Sequence, residues 1–256
     1  MITRRDATIG GLLTIAWTSI ACACPAHAAG TSAAFGCMLA DDEADKILAA
    51  SSEHQTFTTG NEPIVASSGD REFDYALAQT LSRITDTFQV LPGFAYYDDF
   101  DGPNAYATKK VRMARADGTV LFGRRFLRTI LAKPEHPDAV VTAICAHEFG
   151  HILQLKLNLE RTLRADQTTA KRVELHADYL AGYYAGTQKL RKPDYPAAVF
   201  ATESYSHGDF EFTRRNHHGR PEERAAAVIR GFEVAYRERR NLSDAVRIGM
   251  NFVATT

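Results

Sequence analysis

Cysteine is scarce in this chain of 256 residues: four in all. Two of them, Cys22 and Cys24, fall in the N-terminal stretch read below as a signal, and neither follows a convincing lipobox. That leaves Cys37 and Cys145, which suit one disulfide in an oxidising compartment or two buried thiols. Net charge is nearly absent, −1 with histidines neutral, which argues against nucleic acid as a partner. Past residue 23 no run approaches the roughly 18 apolar residues of a membrane span, so the chain after its leader reads as soluble. Internal repeats are missing. Asp98, Asp99 and Asp101 sit in a turn-rich acidic loop, but the glycine and glutamate offsets of an EF-hand are not there.

What the chain does have is His147-Glu148-Phe149-Gly150-His151, an H-E-x-x-H sequence inside an apolar run. On a helix, histidines four apart leave the same face and can bind one Zn²⁺. Glu148 then lies beside the metal without ligating it, where the general base of a zinc hydrolase belongs. The flanks favour burial over a solvated surface helix, because Val140, Ile144, His147 and His151 fall on one stripe at intervals of three and four. Two buried imidazoles without a partner are costly, and a metal is the simplest partner. Cys145 is offset from the histidine face and is not read as a ligand.

Zinc needs a third protein ligand. The metzincin spacing calls for Gly at 154 and His at 157; the chain has Gln154 and Leu157, which excludes that class. A second helical segment, residues 169–184, carries Val173-Glu174-Leu175-His176-Ala177-Asp178. Glu174 and Asp178 share a face, so one carboxylate can ligate zinc while the other holds a ligand histidine by its free N–H. Beside Lys171 and Arg172 the pair also suits a solvated acidic edge; the upstream motif decides for the metal. Glu174 is the preferred third ligand, with His176 and Asp178 as alternatives. Asp178 is expected to orient an imidazole, His151 first.

H-E-x-x-H followed by E-x-x-A-D resembles the gluzincin zinc peptidases, and more narrowly the soluble relatives of the CaaX prenyl protease and heat-shock membrane protease family. Pro103-Asn104-Ala105-Tyr106-Ala107 resembles that family's P-N-A-x-A segment, and Gly118 to Gly123 the strand after it. Ile144-Cys145-Ala146 matches the apolar lead-in to the motif. His218-Gly219-Arg220-Pro221-Glu222-Glu223-Arg224 resembles a downstream H-P-x-x-x-x-R element, with Gly219 in place of the proline. The resemblance covers residues 70–235. It implies a zincin-like metalloprotease domain whose strand ahead of the motif helix pairs with the substrate backbone, here Ala105–Ala107 or Val120–Phe122. The lack of spans departs from the family's membrane-embedded members and leaves no reason to assign a prenylated or membrane substrate.

The N-terminus predicts export. Met1-Ile2-Thr3-Arg4-Arg5 is a basic n-region, Ile9 to Ala23 an apolar stretch, and Ala26-His27-Ala28 an A-x-A site. Residues 1–28 therefore read as a signal peptide cleaved before Ala29, sending the chain to the periplasm or outside the cell. Arg4-Arg5 also suits a twin-arginine signal, although one arginine pair does not decide it.

Residues 29–70 are small and polar and read as a loosely structured leader, and 71–256 as the metallopeptidase domain. Within it, Phe73, Leu77, Leu81, Ile84 and Phe88 mark an amphipathic helix, and Phe94–Tyr97 a strand. Strands are expected at 105–113 and 119–121, joined by an Asp117-Gly118 hairpin turn. The motif helix is expected over 138–157 and the Glu174 helix over 169–184, ending near Gly186. Residues 189–217 read as loop, and Pro221 opens a last helix. The fold class predicted is α+β: mainly helical, zincin-like, with a small sheet preceding the active-site helix.

These parts predict a soluble zinc endopeptidase. One Zn²⁺ per chain is held by His147, His151 and Glu174, with Glu148 as general base and His218 as first candidate donor to the oxyanion. Tyr183, Tyr184 and Tyr205 stand behind His218. N/O ligation favours zinc over cobalt. The competing prediction is a zinc-stabilised binding or chaperone-like protein without turnover; retention of Glu148 speaks against it. Hydrolysis of another amide, such as a cell-wall peptide cross-link, would use the same chemistry. Substrate preference and oligomeric state are not readable from the sequence.

Overall fold

The computed structural model describes residues 36–100, 102 and 104–256. The expected signal peptide with Cys22, Cys24 and its Ala26-His27-Ala28 site, and also Asp101 and Pro103, lie outside the described residues.

Two helices buried on every side form the centre. α4 (Pro137–Lys156) and α6 (Lys171–Arg191) bury consecutive residues rather than one stripe, the pattern of a helix enclosed by protein. Pro137 opens α4, where its missing N–H costs no helical bond. A Cβ added at Gly150 would meet the Ala177 backbone at 3.3 Å. The small residue inside the histidine motif therefore lets the two helices approach closely enough for their side chains to share a site. Gly186, expected to mark the end of α6, instead sits mid-helix against α8 (Pro221–Tyr236): a Cβ there would lie 2.7 Å from Ala235 Cβ.

Other helices wrap this pair. α2 (Arg71–Phe88) packs on α4; Asp70 caps it by accepting from the Phe73 N–H at 3.0 Å. α8, α7 (Ala198–Ser206) and α9 (Leu242–Ala254) cover α6. α7 lies in the stretch expected to be loop, and α9 follows what was expected to be the last helix. α3 (Arg124–Leu131) leads from the sheet to α4, and α5 (Glu160–Leu163) bridges α4 and α6.

A three-stranded sheet precedes the motif helix, so the α+β class holds, with helix at about 54% of the described residues. Its strands are β1 (Gly93–Tyr97), β2 (Ala105–Thr108) and β3 (Thr119–Gly123), in the order β1-β3-β2. β3 is central, parallel to β1 (Gly93↔Thr119) and antiparallel to β2 (Ala107↔Val120). β2 is shorter than the expected 105–113. Residues 109–118 form a long connection, not a two-residue hairpin. It closes at Gly118, whose φ of +151° and contact with the Thr108 carbonyl leave no room for a side chain.

The expected loose leader is, from Gly36 onward, part of the packed domain. Met38 bridges Ala107 on the outer edge of β2, and Gln55 bridges Phe94 on the outer edge of β1, so residues 36–70 shield both edges of the sheet. Between the bridges, α1 (Asp41–Ala49) packs Ala44 and Leu48 with Leu39, Ala95, Tyr97 and Leu121 into a second small core. Backbone edge pairing needs no hydrophobic period, which is why composition alone read this stretch as loose. No helix among the described residues is long and apolar enough to cross a membrane.

Candidate metal centre

His147, Glu148 and His151 project from α4, and Glu174 and Asp178 from α6; all five are buried. The two imidazoles face each other, Nε2 to Nε2, at 3.1 Å. Glu174 closes the triangle with Oε2 3.3 Å from His147 Nε2 and Oε1 3.5 Å from His151 Nε2. A tetrahedral ion bound at about 2.0–2.2 Å spaces its ligand atoms about 3.3–3.6 Å apart; both Glu174–imidazole separations fall in that range, and the imidazole pair is slightly closer. Cys37 joins them: donor atoms of Cys37, His147, His151 and Glu174 all lie within 4.8 Å of one another.

The outer hydrogen bonds fix which way each ring points its lone pair. His147 Nδ1 is 3.0 Å from Asp178 Oδ1, and His151 Nδ1 is 3.0 Å from Gln154 Oε1. The Gln154 amide is oriented by its NH₂, which donates to the Val173 carbonyl at 2.9 Å and faces His176 Nδ1 at 3.2 Å. Its oxygen must therefore accept from His151. Both rings donate from Nδ1 and turn Nε2 inward, the orientation a metal requires. The expectation that Asp178 orients His151 is corrected: from its place on α6 it reaches His147, while Gln154, one turn beyond His151 on α4, serves that ring. His176 lies behind the cluster on Gln154 and stacked on Tyr179, and neither it nor Asp178 belongs to the cluster of donor atoms.

Charge in the site asks for a cation. Taken without an ion, burial disfavours a proton on His147, yet its hydrogen bonds to Asp178 and Glu174 outweigh that and lift its pKa to about 10. Burial drives His151 down to about 4. Glu174 stays well below the usual carboxylate range: burial opposes its charge, and His151, His147 and His218 overcome it. Arg224 from α8 clamps Asp178 with two nitrogens, Nε at 2.7 Å and Nη2 at 3.0 Å, and donates a third hydrogen bond to the His207 carbonyl. Ser204 adds a hydroxyl donor to Asp178 Oδ1 at 3.0 Å. Asp178 is thereby held ionised with its pKa near 2: burial raises it, and Arg224 and His147 pull it down further.

Glu148 lies in the same pocket of charge but outside the ligand set. Its Oε2 is buried with no hydrogen-bond partner among the described residues. Burial pushes its pKa up to about 8, with His147 opposing and Glu174 adding to the rise.

His218 contributes to holding Glu174 ionised. Its backbone N–H donates to Asp209 Oδ2 at 2.9 Å, and its ring Nδ1 is 3.4 Å from the same oxygen. The tyrosines behind it do not converge on the cluster. Tyr183 donates to the Arg240 carbonyl, Tyr184 packs between Phe88 and Phe200, and Tyr205 is exposed. Of the two segments considered for pairing with substrate, Val120–Phe122 is excluded, because β3 is paired on both sides; Ala105–Ala107 lies on the sheet's edge.

Three site residues escaped the sequence. Cys37 carries no motif and is over a hundred positions from His147, so only the tertiary fold unites them. Gln154 was used only to exclude another ligand spacing; its place three after His151 was the available signal. Arg224 was noted for the H-P-x-x-x-x-R resemblance without a role. Cys37 and Cys145 form no disulfide; Cys145 is buried, and burial pushes its thiol up.

The fold and site thus define an α+β protein with a buried Cys-His₂-Glu cluster that could hold a metal ion. No family model, curated protein or solved structure matches the chain.

Proposed function

We propose that this protein is a zinc-dependent endopeptidase of gluzincin type on a zincin-like fold, exported by its N-terminal signal to the periplasm or the cell exterior and acting on proteins or peptides. The observation that carries the reading is Glu148: a buried carboxylate with an unpaired oxygen, one residue after a ligand histidine and beside the metal cluster. A structural site has no use for it, and burying it without a hydrolytic role is costly.

His147, His151 and Glu174 would hold one zinc per chain. When bound, zinc polarises a carbonyl and brings the pKa of a water to about 7. Glu148 takes the proton from the attacking water and returns it to the leaving amine. Asp178, fixed by Arg224, and Gln154 keep both imidazoles in the ligating tautomer. His218 is the donor proposed for the developing oxyanion, and it is anchored on Asp209. The outer edge of β2, covered at Ala107 by Met38 in this structure, would take the substrate backbone once uncovered.

Glu148→Gln tests this. The variant should bind zinc and melt like the wild type while losing cleavage of a peptide library by about two orders of magnitude or more. Unchanged cleavage in the variant would sink the mechanism. A second reading, a zinc-stabilised binding protein without turnover, is favoured by one observation: Cys37 supplies a fourth protein donor, and structural zinc sites are closed by four. Under that reading no peptide is cut and Glu148→Gln leaves the biological activity intact.

A further inference from the structure

The segment Gly36-Cys37-Met38-Leu39 lies where a peptidase needs space. Its backbone runs along the outer edge of β2: the Ala107 N–H donates to the Cys37 carbonyl at 3.1 Å, and the Leu39 N–H donates to the Ala107 carbonyl at 3.0 Å. That is both halves of a strand pairing, on the only edge of Ala105–Ala107 open to a substrate. The same segment touches the ligand set, since the Cys37 N–H donates to Glu174 Oε1 at 2.8 Å. Gly36 comes so close that a Cβ there would fall 1.9 Å from that oxygen, and its φ of +70° lies in the left-handed region that favours glycine. The Cys37 thiol then falls within the 4.8 Å cluster of donors. Met38 and Leu39 anchor the strap from the other side, Met38 in the main core and Leu39 against Tyr97 and Leu121.

We infer that Gly36–Leu39 is a built-in occluding strap, and that Cys37 Sγ is the fourth zinc ligand of a latent peptidase. This rests on the function proposed above and adds its regulation. The chemistry of the donor set agrees: one carboxylate and one thiolate balance the two charges of Zn²⁺, and two imidazoles, a carboxylate and a thiolate complete a tetrahedron. With sulfur in the fourth position and Met38 on the β2 edge, water and substrate must displace the strap to reach their places, so the wild type cleaves slowly. The buried, unpaired Oε2 of Glu148 beside this closed set is what separates it from a permanent structural site: the base is in position, and the strap stands in front of it. Displacing or removing residues 36–39 opens both the metal position and the strand edge in one movement, and leaves His147, His151 and Glu174 on α4 and α6 untouched.

The test is zinc K-edge X-ray absorption on the full zinc-loaded chain, beside Cys37→Ala, with peptide-library cleavage measured on both. The wild type should show one sulfur scatterer at about 2.3 Å. Cys37→Ala should lose it, keep one zinc per chain, and cleave about tenfold faster or more. Introducing Glu148→Gln into Cys37→Ala should abolish that gain. Zinc bound by nitrogen and oxygen alone in the wild type would overturn the strap while leaving the peptidase standing. A wild type that folds and binds no zinc would instead remove the peptidase reading, and the strap with it. Sulfur ligation with no gain in cleavage on Cys37→Ala overturns latency and returns the cluster to a structural site. The absorption measurement on the wild type decides the ligand even if the variant folds poorly.

Discussion

Arg224 and Asp178 form a buried two-point ion pair, Nε to Oδ2 at 2.7 Å and Nη2 to Oδ1 at 3.0 Å, and through it α8 reaches the metal cluster without supplying a ligand. The pair sets the charge on Asp178, Asp178 accepts from His147 Nδ1, and His147 turns Nε2 towards His151 and Glu174.

Removing one partner of such a pair leaves an uncompensated buried charge, at about 3–5 kcal/mol. Arg224→Met should therefore lower unfolding free energy by that amount, read from the denaturant midpoint, and Arg224→Lys should rescue little because the two-nitrogen grip is lost. Arg224→Met combined with Asp178→Asn should cost less than the sum of the two single changes. Additive losses would mean that the pair is not coupled.

Gln154 makes the corresponding arrangement for His151, and it is wholly enclosed. Gln154→Leu keeps the volume but strands His151 Nδ1 and the Val173 carbonyl. Loss of such an outer partner typically weakens metal binding about 10- to 100-fold. Competition with a zinc chelator should show that drop for Gln154→Leu. Equal affinity would mean that the ring is oriented by packing alone.

How far the sequence went follows from what kind of signal each part leaves. Residues 147–151 and 174–178 were expected to bring two histidines and Glu174 together, and they do, because helical spacing is local. Which imidazole Asp178 serves depends on the register of α6 against α4, and no pattern within one helix carries that. Cys37 is a single residue whose role comes from an edge pairing on β2, so it left no trace in composition. α9 is different: Asn241 accepts from the Asp244 N–H at 2.9 Å as a helix cap, and Leu242, Ala245, Val246 and Gly249 repeat at three and four. That signal was present in the sequence and was passed over. Gly186 misled because a helix end and a tight helix crossing both select glycine.

The same ambiguity yields a prediction of reversed sign. Replacing glycine by alanine inside a helix normally gains up to about 1 kcal/mol. At Gly231 on α8 the added methyl would fall 1.8 Å from the Tyr179 carbonyl oxygen, and at Gly182 on α6 it would fall 2.0 Å from the Val228 carbonyl oxygen. Both obstacles are backbone and cannot swing aside. Gly231→Ala should destabilise by about 1–3 kcal/mol and, because it pushes Arg224 away from Asp178, weaken zinc binding as well. A stabilised variant would show that α6 and α8 are not in such close contact.

Asp209 gathers the loop that carries His218. It accepts from the Glu211 N–H at 2.8 Å and the His218 N–H at 2.9 Å, and from the His217 ring. Burial raises its pKa, but those hydrogen bonds, led by His218, hold it well below the usual carboxylate range. Its folded pKa thus lies under the unfolded value of about 3.9. As pH falls past that value, the unfolded chain takes up a proton that the folded chain still refuses, so the stabilisation present above about pH 5 drains away on acidification. Asp209→Asn has no such proton to take up. With chelator in both samples to remove metal effects, the stability gap between wild type and Asp209→Asn should be widest near pH 6 and narrow steadily towards pH 3. A gap independent of pH over that range would show that the Asp209 charge does not hold the loop.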